Sequence, residues 1–308
     1  MTAIAQAHDD LRPLMFSIAY RMLGSVAEAE DVVQEAFFRM TRAETDGATP
    51  VNLDAWATTV TTRLAIDNLR SARVRREMYV GPWLPEPLVD GRGPMLPVAE
   101  PAAGPSEQVE TRDDVSFAML TLMETLTPVE RAVFILREAL GYDYPAIAEV
   151  VEASEVACRQ HFSRARRYLE SGRPRFEASA ARREELAAAF LEAVRGGSLR
   201  ELEALLADDV TFWGDGGGKA PAIQKPMQGA LPVARFLLGL VRRGDPLGVS
   251  LVPAQANGQP AFLTLGPAGE LYGVLALDIV DGRIVSLRNQ INPDKLAHLG
   301  GVGDINSL

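Results

Sequence analysis

The sequence predicts a multidomain protein in which two all-α domains, the second containing a helix–turn–helix, precede an α+β domain. Apolar residues recur at helical spacing in residues 8–76 and 111–172, and a segment rich in Pro and Gly, residues 77–110, separates these two blocks. Residues 178–308 read as helices followed by strands. A chain of 308 residues with 47% hydrophobic content is long enough for two or three compact domains.

The helix–turn–helix is predicted from LTPVERAVFILREALGYDYPAIAEVVEASEVACRQHFSRARRYL. Thr127 and Glu130 have the spacing of a capping box, and Gly141 is a natural end for the helix that they begin. Asp143 and Ser154 are N-cap residues that begin a short second helix and a third helix. The turn and the helix caps therefore all indicate a helix–turn–helix.

The third helix of this motif has an apolar face and a basic face. Cys158, Phe162, Ala165 and Leu169 fall at helical spacing and should face the core. The opposite face suits the DNA major groove, which a recognition helix contacts mainly through its N-terminal half. A solvated arginine face on an ordinary helical bundle is the alternative. The candidate DNA-binding residues here are Ser154, Arg159, Gln160, Ser163, Arg164 and Arg167.

The pattern of residues 8–42, before a polar loop at 43–52, predicts two amphipathic helices. Asp9 or Asp10 can begin the first helix, which should end at Gly24, and Ser25 with Glu28 forms a capping box for the second. The outward face of the second helix is acidic, so it cannot approach phosphates. It is either solvated or a docking surface for a basic protein, and its residues are Glu28, Asp31, Gln34 and Glu35.

A further helix in this block carries Trp56, Val60 and Leu64, which we expect to face inward, and runs into the basic sequence LRSARVRR. Residues 61–76 contain five arginines against a single aspartate. Such a helix suits contacts with the phosphate backbone of a duplex. The candidate DNA-binding residues are Arg63, Asn68, Arg70, Arg73, Arg75 and Arg76.

Three segments together resemble an extracytoplasmic-function sigma factor of bacterial RNA polymerase: AYRMLGSVAEAEDVVQEAFFRM, LDAWATTVTTRLAIDNLRSARVRR and the helix–turn–helix. The resemblance implies that residues 8–76 are sigma domain 2 and residues 111–172 are sigma domain 4. It also implies that the acidic helix docks on the β′ clamp helices of core RNA polymerase and that the β flap is a second contact. The basic helix and the loop before it would then melt and read the −10 element of promoter DNA, and the recognition helix the −35 element. Arg63 stands where many members have asparagine, so a −10 base preference is not carried over.

The segment between the two helical blocks contains seven prolines from Pro82 to Pro105 and should run extended. Its apolar part is either a stiffened docking peptide or a solvated tether. The motif WLPEP resembles a linker motif of the sigma subgroup that has an extra C-terminal domain, which favours docking. Its residues are Trp83, Leu84, Pro85, Glu86 and Pro87.

In the C-terminal domain, the residue pattern predicts helices over 184–194 and 198–206. It then predicts a strand at DVTFWG and strand-like runs around 261–265, 271–280 and 283–291. Asp281–Gly282 predicts a tight hairpin turn. Helices followed by a curved antiparallel sheet predict an α+β cone. This pattern resembles the SnoaL-like fold of the nuclear-transport-factor-2-like group.

Two short motifs stand out in this domain, DGGGK (215–219) and NPDKL (292–296). DGGGK departs from a phosphate-binding P-loop in its glycine spacing, and Ala220 replaces the required Ser or Thr. It is either a plain glycine turn or a rigid bend that presents side chains to a partner. Both motifs resemble elements of the same sigma subgroup, which implies a regulatory role in cis for Asp215, Lys219, Asn292, Asp294 and Lys295.

Composition narrows the functional classes. The net charge of −10 argues against a general nucleic-acid coat, and the single cysteine, Cys158, excludes an internal disulfide and a cysteine-rich zinc site. We expect a cytoplasmic transcription initiation factor without cofactor, metal, membrane contact or enzymatic activity. The first alternative is a one-component DNA-binding regulator whose SnoaL-like domain senses an unknown small ligand. The second is a SnoaL-like enzyme, for which Asp278 is the candidate carboxylate.

Overall fold

A computed structural model describes residues 3–48, 52–94, 116–172 and 179–307. These residues form two compact units. The first unit contains the described residues up to Glu77 and from Met119 to Gly172, and the second contains 78–94, 116–118 and 179–307. In the part of the chain that the structure describes, none of the helices combines the length and apolar character needed to cross a membrane.

The first unit is helical. Both arms of the predicted capping box are present between Thr127 and Glu130, and Asp143 accepts a hydrogen bond from the backbone N–H of Ala146 at 3.0 Å, so these predictions are confirmed. A π-helical turn, Ile135–Ala139, extends the helix that Thr127 begins. The described helices are α1 (Ala3–Leu23), α2 (Val26–Thr45), α3 (Leu53–Glu77), α4 (Phe117–Met123, whose residues from Met119 belong to this unit), α5 (Pro128–Phe134), α6 (Tyr144–Val151) and α7 (Glu155–Gly172).

Two predictions for the N-terminal block are wrong. Helix α1 already begins at Ala3, so Asp9 and Asp10 lie inside it and neither caps it. In α3 the predicted inward residues Trp56, Val60 and Leu64 are only half-buried. The buried face of α3 ends in two apolar residues, Ile66 and Leu69, but the residues with 0% exposure are small or hydroxyl-bearing, which permits close helix packing: Ala57, Thr58, Thr61, Thr62 and Ala65.

The first unit also contains a buried guanidinium that satisfies the end of a helix. Arg131 on α5 donates from Nε and Nη2 to the carbonyl oxygen of Arg21 in the last turn of α1, at 3.1 and 2.9 Å. Its Nη1 pairs with Glu124 at 2.6 Å. Burial lowers the pKa of Arg131 to about 9, so the group remains charged at neutral pH. This cation stabilises the carbonyl end of α1.

The second unit is an α+β domain, as predicted. Its sheet has the strand order β2-β1-β6-β5-β4-β3. The predicted turn at Asp281–Gly282 is confirmed, since both residues have positive φ angles, 49° and 76°. The elements are α8 (Ala180–Arg195), α9 (Leu199–Leu205), β1 (Leu206–Asp215), β2 (Met227–Gln228), α10 (Ala230–Gly244), β3 (Ser250–Ala256), β4 (Gln259–Leu265), β5 (Leu271–Val280), β6 (Arg283–Gln290) and α11 (Pro293–Leu296).

The expectation of an antiparallel sheet is wrong at one pair of strands. β1 and β6 pair in parallel, whereas the other neighbouring strands are antiparallel. The last strand returns beside the first one after a long connection, and such a connection permits parallel pairing. The sheet is therefore mixed.

The two faces of this sheet have different coverings. One face packs on α8, α9 and α10 through apolar side chains that include Phe190, Leu202, Val233, Leu275 and Leu277. The other face packs on the linker and the C-terminal segment through Val89, Leu263, Val274, Leu296 and Leu299, among others. Linker residues 78–94 are thus part of the second unit.

Candidate nucleic-acid interface

The outer face of α7 is exposed and mostly polar in the first unit. The predicted core residues Cys158, Ala165 and Leu169 are buried on the inner face, at 0%, 0% and 1% exposure. This outer face carries a shallow open groove, whose lining residues recur every three or four positions and so lie on one side of the helix. The groove is lined by Val156, Arg159, Gln160, Ser163, Arg164 and Arg167.

Two residues near the start of α7 also have structural roles. The hydroxyl of Ser154 accepts the backbone N–H of Ala157 at 3.2 Å and so caps the helix. Arg159 pairs with Glu155 at 3.2 Å and lies over the ring of Tyr144, 4.8 Å from its centroid. Stacking on an aromatic ring restrains a guanidinium, so Arg159 is held at one edge of the groove.

Arg63, a predicted DNA contact on α3, is bound to the helix–turn–helix. Its Nε donates to the carbonyl oxygen of Val150 at 2.9 Å, and its Nη2 donates to that of Glu149 at 2.8 Å. Its Nη1 pairs with Glu152 at 2.9 Å. The guanidinium therefore caps the carbonyl end of α6 within the first unit, where the helix dipole favours a cation.

The other predicted DNA contacts on α3 are spread along its second half. Arg70 is exposed and pairs with Asp67 at 3.0 Å, while Asn68 is half-buried. The backbone helix continues to Glu77, but some of the predicted side chains lie outside the described residues. These are Arg73, Arg75 and Arg76.

The acidic face of α2 is accessible. Asp31, Gln34 and Glu35 are exposed, and Glu28 is half-buried in the first turn, where its backbone N–H donates to Ser25 at 3.2 Å. Phe38 lies one turn after Gln34 and is 63% exposed. Phe38 is not among the residues predicted from the sequence, although an aromatic residue at an outward position of an amphipathic helix indicates a contact surface.

The motifs of the second unit meet around the carboxylate of Asp215, which is fully buried at the end of β1. This carboxylate accepts hydrogen bonds from the Tyr79 hydroxyl at 2.5 Å and the Leu84 backbone N–H at 2.8 Å. It also accepts from Gln290 at 3.1 Å and pairs with the Lys295 ammonium at 2.8 Å. A carboxylate with this many donors is well compensated for its burial.

Lys295 holds the linker as well as Asp215. Its Nζ donates to the carbonyl oxygen of Leu84 at 2.6 Å and lies 4.3 Å from the centroid of the Trp83 ring. Residues 84–89 of the linker are buried, including Pro85, Glu86 and Pro87. Lys219 and Asp294, by contrast, form an exposed ion pair with each other.

The glycines of DGGGK permit this close approach. Gly217 has φ +56°, and a Cβ placed there would collide with the side-chain amide of Asn292 and lie 2.8 Å from the Tyr79 hydroxyl. Asn292 donates to that hydroxyl at 2.8 Å and caps α11 by accepting the Asp294 backbone N–H at 3.1 Å. Only glycine fits both the backbone conformation and the space.

Sequence reasoning missed three members of this cluster. Tyr79 lies in it, and burial and the hydrogen bond to Asp215 raise the pKa of its hydroxyl. Gln290 donates to the carbonyl oxygens of Leu84 and Pro85, both at 3.3 Å. His298, two residues after the end of α11, lies with its Nε2 2.7 Å from the Pro87 carbonyl oxygen.

A helix–turn–helix with an accessible basic groove, accompanied by an acidic helix and a separate α+β unit, defines a multidomain DNA-binding transcription protein. Family models agree with this class: sigma-70 region 2 matches residues 8–75, and sigma-70 region 4 matches residues 116–169.

Full-length relatives specify the family. The ECF RNA polymerase sigma factor SigJ of Mycobacterium tuberculosis is 38% identical over 92% of this chain and 90% of its own length. The probable ECF sigma factor SigI of the same species is 32% identical over 98% of both chains. The crystal structure of SigJ matches with a TM-score of 0.73 and 33% identity, covering 96% of this chain and 100% of that chain. The protein belongs to the extracytoplasmic-function sigma-70 factors, and its function is that of a sigma factor in transcription initiation.

The alternative of a one-component regulator with a sensing domain is not favoured. The similarity to SigJ and SigI extends across the C-terminal part and is not confined to the helix–turn–helix. A C-terminal α+β domain is thus compatible with sigma-factor function.

Proposed function

We propose that the acidic face of α2 docks on the β′ clamp helices of core RNA polymerase. The support is the exposure of Asp31, Gln34 and Glu35 on one side of a helix whose other side is buried. A negative patch speeds encounter with a basic partner and fixes its orientation. The β flap would contact sigma domain 4, and both contacts belong in the cytoplasm, where core polymerase acts.

Promoter recognition divides between α3 and α7. The groove of α7 offers arginines, Gln160 and Ser163 to base edges of the −35 element, since arginine pairs well with guanine and glutamine with adenine. The arginines of α3 contact phosphates near the −10 element. Melting that element requires unstacking a base, which costs a few kcal/mol and is offset when a protein pocket holds the flipped base.

The C-terminal domain acts in cis by holding the linker. The observation that supports this role is the contact of the Asp215 and Lys295 side chains with the Leu84 backbone. Because the linker connects the two sigma domains along the chain, fixing it restricts the arrangements that those domains adopt.

This domain is regulatory rather than catalytic. Asp278, the candidate carboxylate, accepts hydrogen bonds from Arg288 at 2.8 Å and Gln259 at 2.6 Å, so its oxygens are engaged. It alternates along β5 with Leu277 and Ile279, which pack in the helix-facing apolar core. Asp278 therefore faces away from the side where the helices cover the sheet.

Charge reversal tests the polymerase contact. Asp31→Lys combined with Glu35→Lys should weaken binding to core polymerase at least about tenfold, because like charges then face each other. Glu185→Lys on α8 is the matched control, because it also removes one exposed ion pair within a helix. Glu35 pairs with Arg39 at 2.7 Å, and Glu185 pairs with Arg182 at 2.8 Å. Unchanged core binding by the double variant would contradict the proposed docking.

A further inference from the structure

Val156 is an exposed apolar side chain in an otherwise polar groove. It is 63% exposed and occupies the second position of α7. Single exposed apolar residues are common on protein surfaces, so exposure alone carries no argument. The position of Val156 is informative, because it lies three residues before Arg159 and four before Gln160 and lines the same groove.

We propose that Val156 reads the C5-methyl group of a thymine in the −35 element, an inference that rests on the proposed role of α7. The thymine methyl is the apolar group that a base pair presents in the major groove, and small apolar side chains recognise it by contact. The N-terminal half of a recognition helix usually reaches the base edges, and Val156 lies in its first turn.

The helix geometry places this thymine relative to the other bases. Val156 and Gln160 are four residues apart, or about 6 Å along the helix axis. This distance corresponds to about two base steps of about 3.4 Å. The thymine should therefore lie within one or two positions of the base that Gln160 contacts.

Valine suits this task better than a longer apolar residue. Its branched Cβ has one strongly preferred rotamer in a helix, so the two methyl groups are already in position before DNA binds. Tyr168, the other exposed large apolar residue of α7 in the described part of the chain, is 45% exposed but does not line the groove. Val156 is thus the apolar reader that the groove offers.

The test removes the two methyl partners separately. The full-length protein with core polymerase first selects −35 sequences from a randomised promoter library, and each selected thymine is then replaced by deoxyuridine. At one thymine the replacement should weaken wild-type promoter binding roughly fourfold, as expected for one lost methyl contact. In Val156→Ala the same replacement should have little further effect. Val252→Ala, which truncates a 37% exposed valine in the second unit, should retain the fourfold effect.

Three outcomes overturn the inference. Selected −35 sequences without thymine exclude a methyl reader, and an equal deoxyuridine effect in wild type and Val156→Ala assigns the methyl contact to another residue. A wild-type protein that selects no −35 sequence at all overturns the proposed role of α7 together with this inference. Either of the first two outcomes overturns the inference alone and leaves the proposed role of α7 in place.

Discussion

The guanidinium of Arg63 pairs with the carboxylate of Glu152, 2.9 Å away, although Arg63 lies on the predicted −10 helix and Glu152 immediately follows α6 of the helix–turn–helix. Elements at −10 and −35 are separated by about 25 base pairs, or about 85 Å of duplex. If α3 and α7 read these two elements as proposed, the first unit has to open, because Arg63 of α3 is bound to the end of α6, the helix that precedes α7.

Removal of the Arg63 contacts should loosen the end of α6. Arg63→Ala loses two hydrogen bonds to carbonyl oxygens and one ion pair, whereas Glu152→Gln loses only the ion pair. Hydrogen exchange of the amides from 149 to 153 should increase strongly in the first variant and slightly in the second, because an exposed pair contributes about 0.2–1 kcal/mol. Asp67→Asn on the same helix is the control. Equal exchange in all three variants would contradict a stabilising role for Arg63 at the end of α6.

Two lysines near the C-terminal motifs should differ sharply in their contribution to stability. Lys295→Met leaves the carboxylate of Asp215 buried without its cation, which typically costs about 3–5 kcal/mol. Lys219→Met removes an exposed partner of Asp294 and should cost less than about 1 kcal/mol. Urea unfolding of the second unit measures both. Similar midpoints for the two variants would show that the buried pair does not hold this unit together.

A pair of glycine substitutions isolates the close approach at DGGGK. Gly217 and Gly269 both have positive φ, +56° and +86°. Alanine at either position therefore introduces about 1–3 kcal/mol of backbone strain. At Gly217 the new Cβ also collides with Asn292, whereas nothing lies within 4 Å at Gly269. Gly217→Ala should have the lower melting temperature. Identical melting temperatures would mean that the motif does not need its tight contact.

Cys158 should be a silent core residue. It is fully buried, and burial raises the pKa of its thiol. The folded state therefore favours the protonated thiol. Its contribution to the free energy of unfolding is fully present below the pKa of the unfolded state and is lost as pH rises through the pKa of the folded state. A thiol reagent should modify Cys158 only when the first unit unfolds. Rapid labelling of folded protein, or inactivation by mild oxidant that Cys158→Ala prevents, would indicate a redox role instead.

The parts of the fold that depend on neighbouring residues could be predicted from the sequence. The Thr127 and Asp143 caps are local hydrogen bonds within three residues, so their spacing revealed them. The burial of Thr58, Thr61 and Thr62 on α3 could not be predicted from hydrophobic periodicity, because threonine carries a polar hydroxyl. Thr58 becomes compatible with burial through the Tyr142 hydroxyl, 2.8 Å away and 84 residues later.

The same difference between local and long-range contacts decides which parts of the candidate sites could be predicted. Outward positions on α2 and α7 follow from helical periodicity, and they are exposed as expected except Glu28, which is half-buried. The ring of donors around Asp215 comes from Tyr79, Gln290 and Lys295, which lie 136, 75 and 80 residues away along the chain. The binding of Arg63 to α6 depends likewise on tertiary packing over 86 and 87 residues. Periodicity within one helix carries no information on such contacts.

Run-off transcription with purified core RNA polymerase tests the central claim most directly. The full-length protein should direct initiation at a promoter selected from a random library, and scrambling either the −10 or the −35 element should abolish the specific transcript. Core polymerase alone should yield no such transcript. Absence of specific initiation, accompanied by no measurable affinity for core polymerase, would contradict the assignment as a sigma factor.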